Sequence, residues 1–172
     1  TGTAAALGAF TIAAGAAGTQ AASFQSQMQN VGTLLDGDVQ GKLQGMSKQL
    51  KQVSIDTGAA TSDLTDGLYQ VVSAFGESAE SVKQLEIAAK AAKAGNATTT
   101  DSVNMLSAVT KGYGDTSAAA LQKASDLAFL TVKLGQTSFP ELASSMGQVV
   151  PLAATMKVSQ EELFGAMATL TG

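Results

Sequence analysis

The 172-residue chain contains no cysteine, no histidine, no tryptophan and no arginine, and all ten of its basic residues are lysines. Each absence removes a class of function. Without cysteine there is no disulfide framework, no thiolate metal site and no cysteine nucleophile. Without histidine there is no imidazole base for a serine triad and no common zinc ligand. Bidentate recognition of phosphate or guanine uses arginine, and a net charge of -4 repels a phosphate backbone. Direct nucleic-acid readout is therefore not expected. Charged residues make up 14% of the chain, well below the usual quarter or so. Aromatics are also sparse, at 5%.

Alanine and glycine dominate what is there. The apolar share is 45%, enough for one core-bearing domain or a run of packed helices. Small side chains allow close helix packing but bury little area per residue. The composition thus predicts a thin core, extended or supported by partners. Residues 1 to 35 carry no charge, which raises the question of a membrane. Between Thr1 and Phe24, however, the strong apolars are only Leu7, Phe10, Ile12 and Phe24. A spanning helix needs about 20 predominantly apolar residues. The segment reads instead as an Ala/Gly-rich lead-in helix over residues 1–23 that packs on other helices. No basic region precedes it, so no signal peptide is expected.

Helical periodicity recurs along nearly the whole chain, without a sustained alternating strand pattern. Val39, Leu43, Met46, Leu50 and Val53 form a seam suited to a partner helix, with Asp38 as its N-cap. Ser62 and Asp63 open a helix carrying Leu64, Leu68, Val71, Val72 and Phe75, and Gly76 stops it. A third runs from about Ser78 to Ala94 and ends at Gly95-Asn96. Thr100-Asp101 begins a short helix ended by Gly112 and Gly114. Ser117 begins the next, ended near Gly135. Pro140 and Glu141 suit a first turn, while Pro151 is expected to kink or end that helix. Ser159 to Glu162 form a capping box before Leu163, Phe164, Met167 and Leu170. The expected fold is all-α: an extended or bundled array of seven to eight helices with short loops.

A weak internal helical repeat accompanies this pattern at an offset of 78. Leu64, Gln70-Val71-Val72, Ser81, Leu85 and Ala88 recur as Leu142, Gln148-Val149-Val150, Ser159, Leu163 and Ala166. The second copy runs out at Gly172, as expected of a fragment of a longer chain.

No motif here carries chemistry. Asp36-Gly37-Asp38 lacks the alternating ligands and closing glutamate of a calcium loop and reads as a turn with a helix cap. Gly41-Lys42 lacks the following Ser/Thr and the leading glycine of a phosphate loop. Glu161/Glu162 and Glu77/Glu80 fall near helix starts, where the macrodipole stabilises negative charge. No aromatic sugar platform accompanies them, so glycosidase chemistry is not expected. Asn96-Ala97-Thr98 is loop chemistry, and the six methionines read as core filling. Lys111-Gly112-Tyr113-Gly114-Asp115 is either a contact loop between subunits or a helix stop. No catalytic, cofactor-binding or metal-binding residue is expected, and no cofactor.

Several stretches resemble the core region of phage tail tape measure proteins of the minor-tail, TP901-like family. They are Phe24-Gln25-Ser26-Gln27-Met28-Gln29-Asn30-Val31 with Thr33-Leu34-Leu35, Asp66-Gly67-Leu68-Tyr69 with Ser73-Ala74-Phe75-Gly76, and Lys90-Ala91-Ala92-Lys93-Ala94-Gly95. Lys111-Gly112-Tyr113-Gly114, Ser125-Asp126-Leu127-Ala128-Phe129 and Gly135-Gln136-Thr137-Ser138-Phe139-Pro140-Glu141-Leu142 continue the match. It covers residues 24–172, which would form the tape measure core helical region. The resemblance implies a non-enzymatic structural scaffold whose contour length sets tail length during tube assembly and which is ejected with or ahead of the DNA. It implies self-association in the tail lumen, contacts with tail tube proteins, tail tip proteins and tail assembly chaperones, and residence in the virion after assembly in the host cytoplasm. The alternatives are a membrane-active role for residues 1–35 in forming a DNA conduit, with membrane contact during delivery, and a cell-wall hydrolase, whose residues are missing.

Overall fold

The computed structural model describes residues 18–172 and shows eight α-helices, with no strand among the described residues. They are α1 (Gly18–Gly32), α2 (Val39–Thr57), α3 (Thr61–Phe75), α4 (Ser81–Gly95), α5 (Thr99–Gly112), α6 (Ala118–Leu134), α7 (Phe139–Thr155) and α8 (Gln160–Thr171). The expected all-α array is therefore present. Residues 1–17, most of the expected lead-in, lie outside the described residues.

Short polar side chains start most of these helices by accepting from otherwise unpaired first-turn amides. Asp38 accepts from Gly41 N, Thr98 from Asp101 N and Ser117 from Ala120 N. Full capping boxes, Ser138 with Glu141 and Ser159 with Glu162, open α7 and α8. Left-handed residues close two others: Gly58 (φ 68°) after α2 and Asn96 (φ 52°) after α4.

The helices form two rows. Each packs on the second helix after it, α1 on α3, α2 on α4 and so on to α6 on α8. Each also packs on its immediate neighbour, except α7 on α8, and none packs extensively on a helix more than two places away. Helices within a row run parallel. Asp63 at the start of α3 accepts from Thr99 N at the start of α5 (3.1 Å), and Glu80 Oε2 accepts from Ala118 N at the start of α6 (3.2 Å). Gln136 N donates to the Thr171 carbonyl where α6 and α8 end (2.8 Å). The rows run in opposite senses, since Gln84 near the start of α4 donates to the Thr116 carbonyl beyond the end of α5 (2.9 Å).

The internal repeat is visible in the helices themselves. Thr61 and Phe139, which open α3 and α7, are 78 residues apart; the starts of α2 and α6, and of α4 and α8, are 79 apart. Leu64 and Leu142, Val72 and Val150, and Leu85 and Leu163 are buried in both copies. This is the organisation of a helical repeat protein, in which each unit contacts only its neighbours.

One continuous core runs between the rows. Leu50, Leu64, Leu68, Leu85, Leu106, Leu121 and Met146 are essentially inaccessible. Each such side chain contributes about 1.5–3 kcal/mol relative to an exposed position. Alanines 88, 89, 91 and 92 of α4 and 120, 124 and 128 of α6 fill the narrow places. The described core is built by the chain's own helices. The seam from Val39 to Val53 is likewise internal: Met46, Leu50 and Val53 are buried, and Val39 and Leu43 pack against the same cluster.

Other details depart from the sequence reading. Helix α3 begins at Thr61 after Ala60, whose methyl group offers no cap; Asp63 lies in its first turn, and its carboxylate reaches the start of α5. Pro151 does not end its helix; α7 continues to Thr155. The proline is exposed, so the Gly147 carbonyl it leaves without an amide partner lies on the solvent side. Five of the six methionines, Met28, Met46, Met105, Met146 and Met167, pack in or against the core, but Met156 is 66% exposed.

Helix crossings set a direct test of this packing. A β-carbon on Gly95 would lie 2.6 Å from Phe139 Cβ, whereas one on Gly147 meets nothing within 4 Å. Gly95→Ala is expected to destabilise the protein by about 1–3 kcal/mol through overpacking. Gly147→Ala is expected to stabilise it by about 0.5–1 kcal/mol through helix propensity. Urea unfolding midpoints check both, and equal shifts of the same sign would contradict the crossing geometry.

Candidate interaction surfaces

The carboxylates singled out in the sequence all have structural partners. Glu77 pairs with Lys42 at 2.6 Å, and the same ammonium donates to the Asp36 carbonyl at 2.7 Å. Asp36-Gly37-Asp38 and Gly41-Lys42 therefore form a single turn and helix start. Glu80 accepts from the Ala118 amide at the start of α6, and Glu161 pairs with Lys123 at 2.7 Å. That bond to Lys123 leads the causes that lower the Glu161 pKa. Glu162 and Glu141 are held below the ordinary carboxylate range mainly by accepting the amides of Ser159 and Ser138. None of these groups forms an acid and base pair facing an open cleft. Among the described residues no group of three or more acidic side chains could hold a metal ion.

The segment from Lys111 to Asp115 ends α5 as a helix stop, with Tyr113 as its C-cap. The Tyr113 ring packs against the core with its Oη buried, and burial raises its pKa, with Glu161 and Glu162 adding to the rise. Gly112 lies against Val150 of α7, too close for a β-carbon, and Gly114 turns the chain at φ 78°. Lys111 sits 5.9 Å from the Phe75 ring centre. Asn96 and Thr98 are likewise consumed, as the end of α4 and the cap of α5.

Sequence inspection missed the ties between helices. Asp63 to Thr99, Glu80 to Ala118, Lys42 to Glu77 and Lys123 to Glu161 each join residues one helical hairpin apart. At separations of 35 to 38 residues no local spacing rule reveals them.

The remaining features are surfaces. A cleft of about 480 Å³ beside α1 and α3 is lined by Gln27, Asn30, Asp66, Tyr69 and Gln70 among others, with Asp66 as its one carboxylate. Large apolar side chains are exposed mainly on the last three helices: Leu130, Leu134, Leu152, Met156 and Leu170, against Ile55 and Tyr69 elsewhere. The middle of the even row is instead charged, with Lys83 and Lys90 both bound to Glu86. Such exposed pairs contribute little stability. None of the described helices is long and apolar enough to cross a membrane.

The capping carboxylates predict an acid response. Their folded pKa values lie below the unfolded value of about 4.3, so their stabilisation is present above that value and is lost as pH falls through the folded pKa. A Glu141→Gln/Glu162→Gln variant should therefore lose less stability than the parent between pH 6 and pH 3. Urea midpoints across that range read the difference, and parallel curves would remove the caps from the account.

No curated protein and no solved structure shows significant similarity to the chain. A family model does match: that of phage-related minor tail proteins, over residues 47–172. The match begins inside α2 and takes in every helix from α3 to α8. On that match, which covers the repeating array and not one isolated motif, the chain belongs to the phage-related minor tail protein family.

Proposed function

We propose that this chain is part of a tape measure protein of the TP901-like kind, a non-enzymatic scaffold that sets tail length during tube assembly and leaves with or ahead of the DNA. The observation that supports this reading most is the array itself. Its organisation is linear, each helix contacting only its near neighbours, so length is added or removed by whole hairpins without disturbing a central core. That property suits a ruler, and the family is one of tail proteins. The partners of this reading are further copies in the tail lumen, tail tube and tip proteins, and assembly chaperones in the host cytoplasm.

The repeat also supplies a clean deletion. Removing residues 61–138 in frame takes out α3 to α6 and leaves α7 where α3 now begins, directly after Ala60. Electron microscopy of phage carrying this deletion in the full-length protein should show shortened tails. If the region is drawn out as continuous helix, the loss is about 120 Å at roughly 1.5 Å per residue. If it stays stacked, two hairpins account for about 20 Å at an interhelix spacing of roughly 8–10 Å. Tails of unchanged length would overturn the ruler reading for this segment.

A further inference from the structure

The two rows differ in charge. Helices α2, α4 and α6 of the even row carry eight of the ten lysines, against the three carboxylates Asp56, Glu86 and Asp126. Helices α1, α3, α5 and α7 of the odd row carry Lys111 alone, against Asp63, Asp66, Asp101 and Glu141. Because the rows interleave along the chain, this segregation emerges only when every second helix is taken together.

The charges are also placed in register. Lys48 and Lys90 are each tenth, and Lys51 and Lys93 each thirteenth, in their parallel helices α2 and α4. Lys133 continues the band near the end of α6, and all five are exposed. Among the described residues Lys48, Lys51, Lys93 and Lys133 make no ion pair. On the odd row Asp66, Asp101 and Glu141 stand one per helix on α3, α5 and α7, each exposed and in the first half of its helix. Since the rows run in opposite senses, odd helices start where even helices end, as Phe139 against Gly95 shows. The lysine band and the carboxylates therefore share one edge of the molecule, on its two opposite faces, at the same spacing of one helix. Glu161 and Glu162 of α8 lie at the other edge, where the even helices start. Lys93, Lys133, Asp101 and Glu141 fall in terminal turns, where the helix dipole accounts for them. Lys48, Lys51, Lys90 and Asp66 lie farther in, beyond the reach of that effect.

We infer that copies of this chain associate face to face, the even row of one copy docking on the odd row of the next. Shifting a copy along the normal to its rows brings one carboxylate per helix over one lysine band per helix, at matching pitch. A long polyanion is a poorer fit, because Asp56, Glu86 and Asp126 interrupt the lysines and no arginine is present. Three such helices at ordinary spacing offer a face of about 600 Å², below the roughly 800 Å² per partner of a standard interface. Exposed ion pairs are individually weak, so the contact is salt-sensitive, and its charges decide which faces meet. The inference deepens the tape measure reading, from which it takes only a further copy as the partner. Its test is made in solution, so its failure and a failure of the tail-length experiment are separate results.

Sedimentation equilibrium at low salt should show a weight-average mass that rises with concentration above the 17.2 kDa monomer. At about 1 M salt, where the Debye length is about 3 Å, the mass should return to that of the monomer. Lys48→Glu/Lys133→Glu reverses the even face and Asp66→Lys/Asp101→Lys the odd face, all at exposed positions. Asp101 also accepts from the Thr98 hydroxyl, so Asp66→Lys alone repeats the odd-face test with that bond intact. Each double variant alone should associate roughly tenfold more weakly. Mixed together they present complementary faces again, and association should recover. A monomer at every concentration would overturn the inference, as would association that salt and charge reversal leave unchanged, or a mixture that does not recover. So would a monomeric parent that binds a short DNA duplex through Lys48 and Lys133, which would make the even face a surface for polyanions.

Discussion

Where α5 crosses α3, the contact closes on Gly67, at which a β-carbon would run into the Thr99 side chain. Where α7 crosses α5, it closes on Gly112 against Val150, and α8 meets α6 at Gly135 against Thr171. The rows therefore depend on backbone approaching closer than a side chain permits. That constraint accounts for the composition. With few aromatics and many alanines, each crossing buries modest apolar area, and close approach recovers attraction through dispersion between tightly packed atoms. The polar ties complement it: the Asp63 carboxylate on the first amide of α5 and the buried Thr131 hydroxyl donating to the Phe164 carbonyl at 3.0 Å fix the axial register that small, smooth surfaces leave undetermined.

The local part of this architecture was legible in the sequence because its causes are local. Asp38, Ser117 and Ser159 act within three residues of themselves, and apolar spacing marks the buried faces of α3 and α4 directly. What could not be read locally lies one hairpin away. Asp63 has the look of an N-terminal residue of its own helix, yet its carboxylate serves a helix 36 residues on. The Val39 to Val53 seam has the spacing of a partner-binding surface, and periodicity alone does not say whose helix covers it. Pro151 suits a kink or an end from spacing alone; it does not end α7, and on the exposed side of that helix water can take the place of the amide missing from the Gly147 carbonyl. The candidate surfaces were the least legible, because which large apolar side chains stay exposed, such as Leu130 and Leu152, depends on how the helices pack and not on their local spacing.

A repeat array also divides its stability differently from a globule. Each hairpin contributes its own term plus an interface term with its neighbours, so no single nucleus has to be broken to open the structure. Here the interface terms rest on the large apolar side chains shared between the rows and on alanine-lined close approaches, while the exposed ion pairs add little. The absence of cysteine leaves no covalent link between hairpins. Stability in such an array is approximately a sum of hairpin and nearest-neighbour terms, so a change at one crossing is felt chiefly by the two hairpins that share it. The crossings at Gly67, Gly112 and Gly135 are such shared points, where one added methyl group acts on both hairpins at once.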